Sequence, residues 1–435
     1  MAFAAGNMYT PDVIGEGLFP VVGNGFVGIE MGPFTQPWVN AWPWRDAGSF
    51  HLAGVFNGVS WTTPSHRAQL PKVHDIVVMP QAGGTYSPVG AAINYRTATW
   101  YNRTNVSTPD CIDTVLEQRG YAHRDRRELF VFEFLAASAT GDPNWAGCRL
   151  PISYRISAAS TDANLTVALV GNATSPTVWA GSTLEPEAAG VSLRTVAIAF
   201  DAWASVAPDV LIFTPAVPRL TLRAALRSDL DVSGIGSSTV AAVVAAAEAS
   251  WQSASALTPD ALFASHTEAW GALWASGGVE LSGNASLAMT VNASLYDILS
   301  SLRADWPLST SPGGLATGGY CGHSFWDFET WMLPVLAVLH PDIARAAFQY
   351  RFDRVNASLE NARLSGYDGA MWAWESAVTG LWTAPCRDCD TAENHISADI
   401  PLAMRKASRG GAQCLLSLLS VRSHYNSITR CKPTS

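Results

Sequence analysis

The amino-acid sequence changes its hydrophobic pattern near Ser237, and this change constrains the possible fold more than any other feature. Before it, short runs of β-branched and aromatic residues alternate with clusters of Gly, Pro, Asn and Ser. Leu165, Val167 and Leu169 have the period of two that places alternate side chains on one face of a strand. Many short strands with turn-rich connections predict an N-terminal β-sandwich domain over residues 1–236.

Beyond Ser237 the apolar residues recur at helical spacing. Residues 239–252 are rich in Ala. Thr258, Pro259 and Asp260 then supply an N-cap, a Pro at the first helical position and an acid in the first turn of a second helix. These two helices predict a linker over residues 237–284.

From about residue 285 the helical pattern continues. One helix is predicted to open at Pro341 and to run to Gly366, a good C-terminal stop. The helical pattern over 285–404 would suit an α/α toroid, although periodicity alone does not close one. The remaining tail, 405–435, has basic but no acidic residues. Two explanations of this tail stay open. It is either a basic segment that binds a partner or the result of a reading-frame or splicing departure, and the second explanation is favoured.

Composition excludes several classes of protein. Hydrophobic residues make up 48% of the chain and charged residues 14%, whereas a disordered chain has low hydrophobicity and high charge. The net charge of −9 argues against a nucleic-acid partner bound through a broad basic surface. No apolar run has the length that a membrane-spanning helix needs. The oligomeric state stays open.

The location of the protein stays open as well. The N-terminus lacks the basic start and the apolar stretch of a signal peptide. Against this stand seven N-x-S/T sequons, which predict an extracellular or vacuolar protein if they are used and a cytoplasmic one if they are not. The sequons lie at Asn102, Asn105, Asn164, Asn172, Asn284, Asn292 and Asn356.

Acidic residues embedded among aromatic ones form three segments, 322–334, 371–377 and 392–400. A carboxylate beside such rings can hold sugar hydroxyls while a ring covers the apolar face of the sugar, and partial desolvation raises the pKa of a carboxyl toward that of a general acid. Taken together, the segments indicate a glycosidase with paired carboxylates. A structural alternative is that Asp327 or Glu329 pairs with an Arg such as Arg351 or Arg354.

At these residues the sequence resembles glycoside hydrolase family 65. The segment from Gly322 to Pro334, GHSFWDFETWMLP, is similar to the family hallmark GHxFWDxExWMxP. Residues 24–28, NGFVG, resemble an N-terminal family pattern, and further motifs follow between 350 and 377 in the family's order. Residues 311–315 and 372–377 resemble the branch that acts on glucosyl-galactosyl-hydroxylysine. The resemblance covers about residues 20–404.

The resemblance implies a multi-domain β plus α fold and an inverting, cofactor-free glycoside hydrolase whose partner is a carbohydrate ending in α-glucose. Glu393 matches the general acid. Four residues match the glucose pocket, His323 and His395 are expected to act as hydrogen-bonding neighbours of the site, and no metal is expected. The glucose-pocket residues are Trp326, Asp327, Trp374 and Glu375.

The chain leaves the family pattern at about Met404. In the family, the catalytic base of the hydrolases and the phosphate loop of the phosphorylases lie further downstream. The resemblance therefore implies that residues 285–404 form only the first part of an (α/α)6 catalytic toroid, and the general base is not identified. Glucosyl-galactosyl-hydroxylysine is the favoured substrate, with an acid trehalase and an α-glucoside phosphorylase as alternatives. A non-catalytic remnant that binds glucosides is the alternative outside the enzymes.

Overall fold

The computed structural model covers most of the chain between residues 20 and 409. It describes residues 8–9, 20–31, 48–59, 64–74, 76–78, 81–109, 111–141, 150–154, 156–172, 174–202, 210–213, 219–232, 239–383, 393 and 395–409. Within these residues, no helix combines the length and apolar character needed to cross a membrane. Most of the predicted tail, 410–435, lies outside the described part.

Among the described residues, an antiparallel sheet of nine strands dominates the N-terminal half. Its strands, in spatial order, are β1 (Met8–Tyr9), β8 (Thr85–Asn94), β9 (Thr99–Thr108), β10 (Cys111–Ala122), β11 (Leu129–Ser138), β17 (Arg219–Ser228), β15 (Thr195–Phe200), β14 (Thr177–Thr183) and β13 (Ala163–Leu169). The common face predicted for Leu165, Val167 and Leu169 is wrong. Leu165 is buried, Val167 is 55% exposed, and a bulge between Val167 and Leu169 breaks the period of this edge strand.

Three smaller sheets accompany the large one in the part of the chain that the structure describes. Their strands are β2 (Val21–Gly23), β3 (Val27–Glu30) and β4 (Phe50–Leu52) in the first, β5 (Phe56–Asn57) and β6 (His66–Arg67) in the second, and β7 (Ile76–Val78), β12 (Leu150–Tyr154) and β16 (Val210–Phe213) in the third. Phe50 of β4 meets Phe130 of β11 edge to face, with ring centroids 5.1 Å apart. One apolar core therefore joins the first small sheet to the large sheet.

The next helices in the chain are α1 (Asp229–Val232), α2 (Val240–Ser255) and α3 (Pro259–Gly277). Helix α2 covers the face of the large sheet opposite to the joined core, whereas Trp270 and Trp274 of α3 belong to that core. The predicted N-cap is confirmed, because the Thr258 side chain accepts a hydrogen bond from the Ala261 N–H and Pro259 opens α3. Val243, Ala247 and Trp251 of α2 pack on small strand residues, which let the helix approach closely; these are Ala180, Ala197, Ala199 and Ala225.

Helices fill the C-terminal half. They are α4 (Ala285–Ser301), α5 (Leu333–Leu339), α6 (Pro341–Phe352), α7 (Val355–Leu364) and α8 (Ile396–Arg409). The single helix predicted from Pro341 to Gly366 is wrong, since it breaks between α6 and α7. At the break Arg354 leaves helical geometry and its Nε donates to the Val378 carbonyl at 2.6 Å, so a tertiary contact overrides the local pattern. The stop at Gly366 is confirmed by its left-handed φ of +78°.

The predicted order of an antiparallel β region followed by helices is confirmed. The domain boundaries at residues 236, 284 and 404 stay predictions. Segments of both regions, from β5–β6 on one side and from the loops around α5 and α7 on the other, meet at the candidate site.

Candidate functional site

The loop before His323 has an unusual backbone. Tyr320, Cys321 and Gly322 all have left-handed φ angles, of 54°, 55° and 74°. Such angles are strained for the two residues that carry a Cβ, and strained backbone persists only where neighbouring contacts determine it. The run ends at His323, which returns to extended geometry, and the His323 N–H donates to the Tyr320 carbonyl at 3.0 Å. This turn sets the direction in which the His323 ring enters the protein.

His323 and Glu375 form a buried hydrogen-bonded pair. Nδ1 of His323 lies 2.8 Å from Oε2 of Glu375, and Nε2 lies 3.1 Å from Oγ of Ser65 in the β region. Desolvation raises the pKa of Glu375 to about 8, and burial, with smaller contributions from the charges of Arg67 and His66, lowers the pKa of His323 to about 3. Both shifts favour the uncharged form of the side chain concerned, the neutral imidazole and the protonated carboxyl.

A backbone bridge joins the segment around His323 to the segment around Glu375. The Ser324 N–H donates to the Ser376 carbonyl at 2.9 Å, and the Ser376 N–H donates back to the Ser324 carbonyl at 3.2 Å. Directly after the bridge, the Phe325 ring meets the Trp374 ring edge to face, with centroids 5.3 Å apart. Two of the three aromatic and acidic segments thus form one unit.

Trp326 and Asp327 lie at the entrance to a π-helical turn, Phe328–Met332. The Leu333 N–H donates to the Phe328 carbonyl, five residues earlier, and Pro334 in the next position has no N–H to offer. The turn places Trp326 and Asp327 half-buried. Desolvation raises the pKa of the Asp327 carboxyl above its ordinary value.

Glu329 has a structural role. Its carboxylate receives two hydrogen bonds from the Arg351 guanidinium, at 2.7 and 3.0 Å, and both side chains are almost fully buried. Arg351 also donates to the Phe325 carbonyl at 3.3 Å. Of the acids in this segment, Glu329 is thus the one that pairs with an arginine, as the structural alternative proposed. The ion pair with Arg351 ties Glu329 to α6, next to the contact between Phe325 and Trp374.

Glu393 lies beside His395, at the start of α8. Oε2 of Glu393 is 3.3 Å from Nε2 of His395, while Nδ1 of the same ring is 2.7 Å from Oδ2 of Asp399. The His395 ring also meets the Trp326 ring edge to face, with centroids 4.8 Å apart. The Glu393 side chain is 43% exposed. The structure therefore connects Glu393 to Trp326 through one histidine whose ring Asp399 orients.

A cavity of about 450 Å³ lies on another side of the same loops. It is lined by residues 310–317 together with Tyr95, Tyr296, Asp297 and Met332. Desolvation raises the pKa of the Asp297 carboxyl to about 6. The described residues that line this cavity include neither Glu393 nor any of the residues predicted for the glucose pocket. The cavity is thus separate from the predicted glucose pocket.

The structure adds neighbours that the sequence analysis missed. Ser65 and Arg67 come from the β region, and Glu187 accepts hydrogen bonds from the Thr379 N–H at 2.6 Å and the Val378 N–H at 3.2 Å. No sequence signal marks these residues, because their importance comes from contacts across more than 190 positions of the chain. In the described part of the chain, no group of three His, Cys, Asp or Glu side chains could hold a metal ion.

Comparison with known proteins assigns the class. Residues 292–409 match the glycosyl hydrolase family 65 central catalytic domain. The protein-glucosylgalactosylhydroxylysine glucosidase of Dictyostelium discoideum is 29% identical over 88% of this chain and 51% of its own length, and that of Mus musculus is 30% identical over 82% and 49%. A solved structure named "Putative kojibiose phosphorylase from human microbiome" superposes with a TM-score of 0.69 at 11% identity, covering 89% of this chain and 53% of its own.

The β region, the helices and the aromatic, acid-bearing loops thus resemble those of a class that includes glycoside hydrolases and phosphorylases. More narrowly, the chain belongs to glycoside hydrolase family 65. It spans about half the length of the curated relatives it matches. The likeness to the solved structure, at its low identity, concerns the fold alone.

Proposed function

We propose that the protein cleaves a terminal α-glucosidic bond by inverting hydrolysis, with glucosyl-galactosyl-hydroxylysine as the favoured substrate. Family membership supports the reaction class, and the relatives that match most of this chain are named for that substrate. The observation that carries the proposal is the contact chain from Glu393 through His395 to Trp326, since it links an accessible acid to an aromatic sugar platform.

In this proposal Glu393 is the general acid that protonates the leaving oxygen. Its partner His395 is itself held by Asp399 at 2.7 Å, so the carboxyl has a defined direction although it is partly exposed. A general acid needs such a defined position beside the bond that breaks. Inversion also requires a base on the opposite face of the sugar. No residue of this chain is assigned to that role.

Trp326, Asp327, Trp374 and Glu375 are proposed to bind the terminal glucose. The indole rings offer apolar faces, and Asp327 offers a carboxyl that can accept hydrogen bonds from two hydroxyls. Desolvation raises the pKa of Glu375 to about 8, and a carboxyl that keeps its proton can also donate a hydrogen bond. The pocket would thus form hydrogen bonds with sugar hydroxyls that act as donors and with sugar hydroxyls that act as acceptors.

The test is turnover of three purified substrates, glucosyl-galactosyl-hydroxylysine, trehalose and kojibiose, each with and without inorganic phosphate. Release of free glucose without phosphate supports a hydrolase, and the preferred substrate names the branch. Product formed only with phosphate, as glucose phosphate, identifies a phosphorylase and overturns the hydrolytic proposal. Glucose binding without turnover identifies a binding protein and overturns the enzymatic one.

Two variants test the assigned roles. Glu393→Gln should abolish nearly all turnover and leave glucose binding measurable, because the amide cannot donate the proton. Asp327→Ala should weaken glucose binding itself. Glu360→Gln is the matched control, since Glu360 is a partly exposed carboxylate paired with Arg363 on the surface of α7. Substantial activity in Glu393→Gln would refute the acid assignment, and unchanged affinity in Asp327→Ala would make that residue structural.

A further inference from the structure

Arg67 is a buried arginine of β6 that no carboxylate in the described structure pairs with. Its Nη1 donates to the carbonyls of Gly314 and Leu315, at 2.7 and 2.8 Å, and its Nη2 donates to the carbonyl of Gly322 at 2.7 Å. The residue is 4% exposed. One guanidinium from the β region therefore holds both ends of the loop that precedes Trp326 and Asp327.

The loop needs such a restraint. It contains the left-handed run of Tyr320, Cys321 and Gly322, and strained backbone relaxes unless its surroundings fix it. Gly322 lies directly on Arg67, because a Cβ added to this glycine would meet the Arg67 Cβ at 2.6 Å. Burial lowers the pKa of Arg67 only to about 10, so the group stays charged at neutral pH and its hydrogen bonds are charge-assisted.

Arg67 also reaches the His323–Glu375 pair by a second route. Its Cζ lies 5.8 Å from the centroid of the Phe56 ring, and that ring stacks on His323 with centroids 5.6 Å apart at 26°. Ser65, two residues before Arg67, bonds Nε2 of His323. The β5 and β6 segments thus contact the His323 ring away from its bond to Glu375.

We propose that Arg67 is a positioning residue, which fixes the 314–322 loop and the His323 ring so that Glu375, Trp326 and Asp327 are held ready to bind glucose. This inference rests on the sugar-binding role proposed above for those three side chains. Arg67 itself is not expected to touch the sugar. The consequence is that the β region takes part in building the glucose pocket.

Arg124 provides a matched control for a purely structural role. It too is buried without a carboxylate contact in the described structure, and its Nη1 donates to the carbonyls of Asn24, Leu299 and Leu302 at 2.8 to 3.1 Å. Its guanidinium lies 5.1 Å from the Trp270 ring centroid. Arg124 therefore has the same chemistry as Arg67 but contacts a different part of the structure.

The experiment compares Arg67→Met and Arg67→Lys with Arg124→Met and Arg124→Lys. Thermal unfolding measures stability, titration calorimetry with D-glucose measures affinity, and the ¹⁵N spectrum of labelled histidines, assigned with His323→Gln, reports the His323 ring. All four variants should lose stability. Only the Arg67 variants should weaken glucose affinity, by about tenfold or more, and shift the His323 resonances. Lysine should not restore affinity, because it lacks the planar fork that spans the loop.

Equal effects of the Arg67 and Arg124 variants on affinity and on the His323 resonances would overturn the inference. If the unmodified protein binds no glucose, the proposed function fails, and the histidine spectrum alone then decides on Arg67. A His323 signal that changes only in the Arg67 variants upholds the positioning role, and an unchanged signal refutes it. If Arg67→Met does not fold, the same measurements on Arg67→Lys decide the question.

Discussion

Replacement of Glu375 by Gln should stabilise the protein while it removes a residue of the proposed glucose pocket. The carboxyl is 5% exposed, and desolvation raises its pKa from 4.5 to about 8. At pH 7 the folded protein must therefore keep a proton that the unfolded chain gives up. With about 1.4 kcal/mol for each pH unit above 4.5, this costs roughly 3 kcal/mol at pH 7. An amide of the same shape avoids this cost and can still bond His323.

The sign of the pH dependence follows from the raised pKa. The bound proton stabilises the folded state fully below pH 4.5, and this contribution is lost as the pH rises to about 8. The stability gained by Glu375→Gln should thus be small near pH 5, grow through neutral pH and level off above pH 8. Urea unfolding at pH 5, 6.5 and 8 measures this, with Glu360→Gln as the surface control whose effect should stay small.

The opposite sign would refute the assignment of protons within the pair. If His323 carried the proton and faced an ionised Glu375, the substitution would break a buried ion pair and lower stability at neutral pH. A destabilised Glu375→Gln would therefore show that the imidazole, and not the carboxyl, is protonated. The outcome also bears on function, since stabilising substitutions at binding sites commonly cost activity.

Three further substitutions should each lower stability, measured by thermal unfolding. Glu329→Gln leaves the buried Arg351 without its charged partner and should cost about 3–5 kcal/mol; a loss below 1 kcal/mol would contradict this. Gly322→Ala places a methyl group 2.6 Å from the Arg67 Cβ at a φ of +74° and should cost about 1–3 kcal/mol, more than Gly190→Ala, where a Cβ has open space. Thr258→Ala removes the α3 cap and should cost about 1 kcal/mol; Thr267→Ala, within the same helix, is its control.

The order of the fold was predictable because hydrophobic periodicity is a local property. The change near Ser237 separates strands from helices, and Thr258 and Pro259 mark the start of α3 as observed. The break between α6 and α7 was not predictable, since it depends on a hydrogen bond from Arg354 to a carbonyl 24 residues later. The bulge in β13 was not predictable either, because the alternation of Leu165 and Val167 gives no sign of it.

The candidate site likewise has features that the sequence predicts and features that it does not. Its aromatic and acidic residues lie in three short segments, so composition alone draws attention to them. Their protonation states are not visible in the sequence, because they depend on burial: Asp327 is half-buried, while Glu375 is almost fully enclosed. The sequence allowed Asp327 or Glu329 to pair with Arg351 or Arg354 and did not distinguish between them, whereas the structure pairs Glu329 with Arg351.

The π-helical turn Phe328–Met332 has a consequence for the comparison of related sequences. A π-turn holds about one residue more than an α-turn, so this short stretch can absorb a change in chain length. Deletion of one residue here would let the segment close as an α-helix, and α5 could keep its packing. Because the α-turn covers nearly the same rotation with one residue fewer, Trp326 and Asp327 would keep about the same direction relative to α5. A relative with one residue fewer between this Trp-Asp pair and Pro334 would therefore present the pair in nearly the same direction, so a one-residue gap here in an alignment is compatible with an unchanged position of Trp326 and Asp327.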